Sequence, residues 1–232
     1  PHDSVGIRIF REYGAMFVAG GGAVVPGKVI FKDEKEVQDF QSRVEISKEV
    51  FGILEIELQS AAMKALKKAI TEAENNGLKI SPKESDSARR SYADTVALWE
   101  SRVTPGLIHW VNQRKLDFAE AIRIRNLQPV EQIPEIFKLE EKRLFFAKDL
   151  SKSIIYSVAP PGTSQHLSML ALDIIEHKDP RVRSILAKYG WFQTVISDLP
   201  HFTYLGIDEK DLPGLGLKKV NNGGRSFWIP QI

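Results

Sequence analysis

The chain has no cysteine, which excludes a disulfide framework, a thiolate metal site and a cysteine nucleophile. The absence leaves the compartment open, because a cysteine-free chain survives in oxidising and reducing surroundings alike. Long apolar runs are also missing: none approaches the ~20 residues that span a bilayer. Charge of one sign is scarce, since 32 Lys and Arg face 30 Asp and Glu for a formal net charge of +2. No basic stripe is interleaved with aromatics, so no nucleic-acid partner is expected. The nearest candidate, Arg123 to Arg125, lies in an alternating stretch and reads as a solvated strand face. The chain begins at Pro1 rather than Met, which is compatible with removal of an export signal.

At 232 residues, 43% hydrophobic and 27% charged, the chain has the make-up of an ordinary globular protein. It is long enough for one sizeable domain, or for one domain with an N-terminal elaboration. The first 45 residues read as strands and turns: Ile7 to Ala19 is rich in Ile, Phe, Tyr and Val, and Val24 to Phe31 resumes after Gly20-Gly21-Gly22. A helix is expected from Val50 to Asn75, because Leu54, Leu58, Ala62, Ala65, Leu66 and Ala69 recur at helical spacing. A short strand at Leu78 to Ser81 and a helix from Ala88 to Arg102 follow, the latter stopped by Pro105-Gly106. Another helical region covers Val130 to Leu150, and Ile154 to Val158 reads as a short strand. The last third alternates short strands with one helix at Arg181 to Tyr189. The expected fold is α+β: a small, mostly antiparallel sheet flanked by helices, with an N-terminal strand and helix extension. The expected division is a strand-rich extension over 1–50 and a main domain over 51–232, with a helical insertion at 101–150.

Of five histidines, two have unusual surroundings. His166 follows Pro160-Pro161-Gly162-Thr163-Ser164-Gln165, and Asp173 comes seven residues later inside the apolar run Leu167 to Ile175. His201 precedes Phe202-Thr203-Tyr204, which alternate as in a strand. A carboxylate in an apolar run needs a partner if it is buried, and a metal ion is one such partner. Two imidazoles and one carboxylate would give zinc three protein ligands and an open fourth position. Spacing alone does not single these residues out; an Asp there can also cap a turn or pair with Arg.

The surrounding residues carry more. Ala159-Pro160-Pro161-Gly162-Thr163-Ser164-Gln165-His166-Leu167-Ser168-Met169-Leu170-Ala171-Leu172-Asp173 resembles the S-x-H-x-x-G-x-A-x-D motif, with its preceding A-P-P-G, of the zinc D-alanyl-D-alanine metallopeptidases. That family includes vancomycin-resistance-type D,D-carboxypeptidases and some phage endolysins. Tyr189-Gly190-Trp191, followed by Asp198-Leu199-Pro200-His201-Phe202-Thr203-Tyr204-Leu205-Gly206, is similar to its second motif, E-x-x-H-F-x-Y-x-G. A looser match to Y-R-S-x-x-x-Q covers Arg89-Arg90-Ser91-Tyr92-Ala93-Asp94-Thr95.

The resemblance implies that His166, Asp173 and His201 hold zinc, that Asp198 is the catalytic proton carrier, and that Arg90 and Ser164 bind substrate, with Arg89 the rival for Arg90. It implies hydrolysis of peptidoglycan stem peptides, foremost as a D,D-carboxypeptidase, and an exported protein. A cell-wall endopeptidase of the same family and a low-activity zinc-containing binding module are the other readings. Two departures stand out. Met169 occupies the family's Gly position, so backbone or packing beside the metal is expected to differ. Asp198 stands where the family has Glu, one methylene shorter. Gln165 and Thr163 are read as loop-shaping residues, and Trp99, Trp110 and Trp228 as core or half-buried rather than as a glycan groove. His109 and His177 are read as ordinary surface or hydrogen-bonded residues, and His2 as an adventitious metal ligand.

Overall fold

Helix α1 (Ser4–Tyr13) begins where the Asp3 side chain accepts a hydrogen bond from Gly6 N at 2.7 Å, the usual device for an orphan donor at a helix start. The computed structural model describes residues 3–232; the call on His2 falls outside them. A strand was expected over Ile7 to Ala19, but α1 runs on into a 3₁₀ turn over Gly14–Val18. The β-branched and aromatic composition suggested extended chain, whereas Val5, Ile9 and Tyr13, four residues apart, put one helical face into the core. Val24 to Phe31 forms no strand either; the next element is helix α2 (Glu34–Gln41), capped by Asp33.

The helix expected from Val50 begins instead as a hairpin. Strand β1 (Ile46–Phe51) pairs antiparallel with β2 (Leu54–Gln59), with Phe51 opposite Leu54 across a Gly52-Ile53 turn. Gly52 has φ +65° there, a conformation that glycine takes without cost. The misreading has a plain cause: Leu54, Leu58 and Ala62 lie four apart, a spacing common to periods 2 and 3.6. Helix α3 (Ser60–Asn75) then buries Ala62, Met63, Leu66, Ala69 and Ala73 along one face.

Leu78 to Ser81 is not a strand; only an isolated bridge joins Pro82 to Ile174. Helix α4 (Tyr92–Asn112) starts at a Ser91–Asp94 capping box and runs straight through Pro105-Gly106. Packing explains why: Trp99, Val103, Leu107 and Trp110 are all buried on one face. A Cβ on Gly106 would come within 2.4 Å of the Phe146 ring. Arg123 to Arg125 belongs to helix α5 (Phe118–Arg125), not to a strand, and α6 (Pro129–Glu141) ends earlier than expected. Ile154 to Val158 contains a 3₁₀ turn over Ile154–Tyr156 in place of the expected strand.

The last third matches the expectation of short strands around one helix. Strand β3 (Ala171–Asp173), helix α7 (Pro180–Lys188), β4 (Trp191–Phe192) and β5 (His201–Tyr204) follow in order. They form an antiparallel sheet ordered β3-β5-β4. A second hairpin, β6 (Leu217–Asn222) and β7 (Arg225–Pro230), closes the chain. The fold is therefore α+β, as expected. One core packs α3 and α7 against this sheet and β2. A second core joins α1, α4, α5 and α6. No helix among the described residues is long and apolar enough to cross a membrane.

Candidate metal centre

Strand register assembles the site. Asp173 on β3 is directly opposite His201 on β5, and opposed residues in an antiparallel pair present their side chains on the same face. His166 arrives from a 3₁₀ turn over Gln165–Ser168. That turn is held from below by two buried glutamines: Gln41 donates to Leu167 O at 3.0 Å and Gln59 to Ser168 O at 2.8 Å. The Pro160-Pro161-Gly162 approach is pinned where Phe31 N donates to Gly162 O. Gly162 has φ +75°, and a Cβ on it would lie 1.9 Å from Phe31 O, so only glycine fits.

Met169 ends the turn in the left-handed region, at φ 56° and ψ 30°. Where the motif resemblance led to glycine, Met169 thus holds a backbone that glycine would adopt freely. The strain is local, and the fully buried Met side chain occupies the space beneath.

The donor atoms converge closely. His166 Nε2 lies 3.1 Å from His201 Nδ1 and 3.5 Å from Asp173 Oδ1, which is 3.3 Å from His201 Nδ1. Zinc with bonds of ~2.0–2.1 Å and tetrahedral angles needs donor–donor edges of about 3.3–3.4 Å. The observed edges of 3.1, 3.3 and 3.5 Å lie within about 0.3 Å of that requirement.

The remaining nitrogens fix the tautomers. His166 Nδ1 lies 2.8 Å from Ala88 O, which only accepts, so the proton is on Nδ1. His201 Nε2 lies 2.9 Å from Gln165 Oε1. Gln165 is oriented by its own amide N–H groups, which donate to Tyr13 O at 2.9 Å, so His201 carries its proton on Nε2. In neutral rings the two facing nitrogens then both present lone pairs, 3.1 Å apart, with no hydrogen between them. Asp173 Oδ1 points at the same place and is buried with no hydrogen-bond partner. Three converging lone pairs on buried side chains need a cation, and their set of two imidazoles and one carboxylate is that of zinc.

The charges agree. Burial pushes His166 below its ordinary value, with Asp173 opposing and Arg90 assisting, so the ring is neutral and can act as a ligand. Asp173 is ionised for a separate reason, its ion pair with the Arg90 guanidinium, whose Nη2 donates to Asp173 Oδ2 at 3.1 Å.

All six residues singled out from the sequence, His166, Asp173, His201, Asp198, Arg90 and Ser164, line one cleft of about 290 Å³. The rival Arg89 does not; it pairs with Gln41 and Glu57 elsewhere. Arg90 spends Nε on Asp86 O and Nη2 on Asp173, which leaves Nη1. Asp198 sits on an exposed turn before β5. Two contributors escaped the sequence reading. Gln165, 1% exposed, does more than shape a loop: its Oε1 accepts from His201 and from Thr203 Oγ1. Arg102, on α4, lines the cleft and, among the described residues, bonds only to Ser101 and Ser157. A helix position with no local motif carries no signal for such a role. Trp99, Trp110 and Trp228 are buried, as read, and none lines this cleft.

No family model matches the chain, and no curated protein matches it. Two solved structures show a partial likeness. One is a Zn(II) complex of a mutant of the vancomycin-resistance D,D-pentapeptidase VanY from a VanB-type resistance cassette. It has a TM-score of 0.40 and 17% identity over 72% of this chain and 82% of that one. The other is the LdcB LD-carboxypeptidase, with a TM-score of 0.40 and 17% identity over 80% of this chain and 71% of that one.

Proposed function

We propose that the chain is a zinc-dependent peptidase of peptidoglycan stem peptides, acting foremost as a D,D-carboxypeptidase, exported to reach its substrate. The observation that carries the metal is the triangle of unprotonated donors at His166, Asp173 and His201, open toward a cleft. The substrate class rests on the two sequence motifs around them.

A zinc ion held there would polarise a scissile carbonyl and lower the pKa of a bound water. Asp198, on the lip of the same cleft, takes the proton from the attacking water and returns it to the leaving amine. Arg90 Nη1 and Ser164 hold the carbonyl oxygen as it gains charge. Arg102 has no carboxylate within 4 Å among the described residues, so it is the cation of this cleft open to a substrate's terminal carboxylate.

The engagement of Arg90 with Asp173 favours a second reading, an endopeptidase without a carboxylate clamp. Purified protein analysed for metal, with D-alanine release from a stem pentapeptide, separates these outcomes. About one zinc per chain, lost in His166→Ala and His201→Ala, with D-alanine release abolished in Asp198→Ala and a raised KM in Arg102→Ala, supports the carboxypeptidase. Cleavage inside the stem without D-alanine release supports the endopeptidase. Unchanged turnover in Asp198→Ala refutes its role.

A further inference from the structure

A second cleft, of about 620 Å³, lies between α7 and the C-terminal hairpin and shares no lining residue with the metal cleft. Its cations fall into two kinds. Lys188, Lys210 and Lys219 are each already paired, with Glu72, Asp208 and Glu209. Arg183 and Arg225 are not: neither has a carboxylate within 4 Å among the described residues. Instead both converge on one residue, His177. Arg183 Nη1 donates to His177 O at 3.1 Å and to Lys178 O at 2.8 Å. Arg225 Nη1 meets His177 Nδ1 at 2.9 Å; guanidinium only donates, so that ring nitrogen accepts and His177 is neutral.

Two half-buried guanidiniums that meet on one residue repel each other, and the nearest acids, Asp179, Asp208 and Glu209, are each paired with another cation, Arg181, Lys210 and Lys219. Burial, followed by the proximity of Arg225, lowers the Arg183 pKa against a smaller opposing pull from Asp179. The lining has a second peculiarity. The indole N–H of Trp191, a residue lining this cleft, is buried without a hydrogen-bond partner, a rare condition in a folded protein and a donor that an anion can take up.

We propose that this cleft is a binding site for a phosphate-type oxyanion, held by Arg183 and Arg225. A dianion suits it best, because it neutralises both guanidiniums at once and offers each fork two oxygens. Trp228, whose indole lines the cleft beneath Lys219, reports on it.

The test is a titration of zinc-loaded protein with inorganic phosphate at pH 7.5 and constant ionic strength, following the four tryptophan indole N–H resonances. A saturable shift of Trp228 and Trp191, with Trp99 and Trp110 unmoved, is expected. It should weaken at least tenfold in Arg225→Gln and in Arg183→Gln, whose folding the Trp99 and Trp110 signals verify. Acetate at the same concentrations should bind at least tenfold more weakly. Dimethyl phosphate separates the sources: binding comparable to inorganic phosphate points to a phosphodiester polymer, weaker binding to a terminal phosphate. A shift that does not saturate, that persists in both variants, or that acetate reproduces overturns the proposal. Phosphate captured at the metal centre would leave the Trp228 signal in place and overturns it equally.

Discussion

Replacing Gln165 by leucine tests how the metal centre is oriented. The leucine keeps the bulk of this buried side chain but removes its acceptor for His201 Nε2–H and Thr203 Oγ1 and its donor to Tyr13 O. Nothing then holds the proton on His201 Nε2, and the ring can present N–H rather than a lone pair to the metal. Loss of such an outer partner typically lowers metal affinity 10–100-fold, about 1.4–2.8 kcal/mol. The fold suffers separately, because a buried group left unpaired costs about 1–3 kcal/mol and Tyr13 O is one such group. Gln165→Glu dissociates the two effects: a carboxylate still accepts from His201 and Thr203 but cannot donate to Tyr13 O. Competition with a coloured zinc chelator should therefore show the leucine variant 10–100-fold weaker and the glutamate variant close to wild type, while urea denaturation of the metal-free proteins shows both destabilised. Long-range nitrogen couplings of the His201 ring in metal-free protein give the tautomer directly. Zinc affinity within threefold of wild type in the leucine variant would refute the reasoning.

Three further expectations concern the fold around the centre. Met169 pays for a positive φ that glycine would relieve, by about 1–2 kcal/mol, yet its buried side chain is worth about 2–5 kcal/mol. Urea denaturation should rank wild type above Met169→Gly and Met169→Gly above Met169→Ala; alanine more stable than glycine would sink the strain argument. Burial raises the Glu12 carboxyl despite its hydrogen bond from Ser197, so the folded state loses stability as pH rises from about 4.5, its unfolded value, through the higher folded one. Glu12→Gln should be the more stable protein at pH 7.5, with the gap closing below pH 4.5; a gap that does not change with pH counts against it. Arg8 binds the buried Glu140 at 2.6 Å, and Arg8→Ala should cost about 2–3 kcal/mol, below the usual range for a broken buried pair because Arg8 is one-third exposed. A loss under about 0.5 kcal/mol would show that Ser153 and Ile154 N satisfy the carboxylate alone.

The cluster of donors at the candidate metal centre was anticipated from the sequence through motif resemblance rather than spacing. The two motifs around them single out His166, Asp173 and His201, and strand register then places Asp173 opposite His201 while His166 comes from a 3₁₀ turn. Gln165 was not legible, since its role depends on where its amide reaches across the fold to Tyr13, 152 residues away in sequence. Arg90 was legible as a cleft residue, but not its contact with Asp173. The N-terminal third was misread because hydrophobic spacings of four serve strand and helix equally, and because composition was given more weight than period in α1. Pro105-Gly106 looked like a stop, yet the apolar face from Trp99 to Trp110 gains more from continuing than one missing hydrogen bond costs.

These parts combine into one consequence for the metal-free protein. Three lone pairs face one point, their outer partners are fixed by Ala88, Gln165 and Arg90, and the surrounding sheet is too tightly packed to let them turn away. In that state the centre holds its donors in an arrangement that repels itself, and a cation removes the repulsion. Binding energy at such a site is also folding energy, and it grows as RT ln(1 + [L]/Kd) with free metal. Chelation should therefore lower the melting temperature of the whole cooperative unit, with β3 and β5 losing amide-exchange protection ahead of α3. A melting temperature indifferent to excess chelator, in protein shown to release its zinc, would mean that the donors relax apart at no cost, contrary to the packing that brings them together.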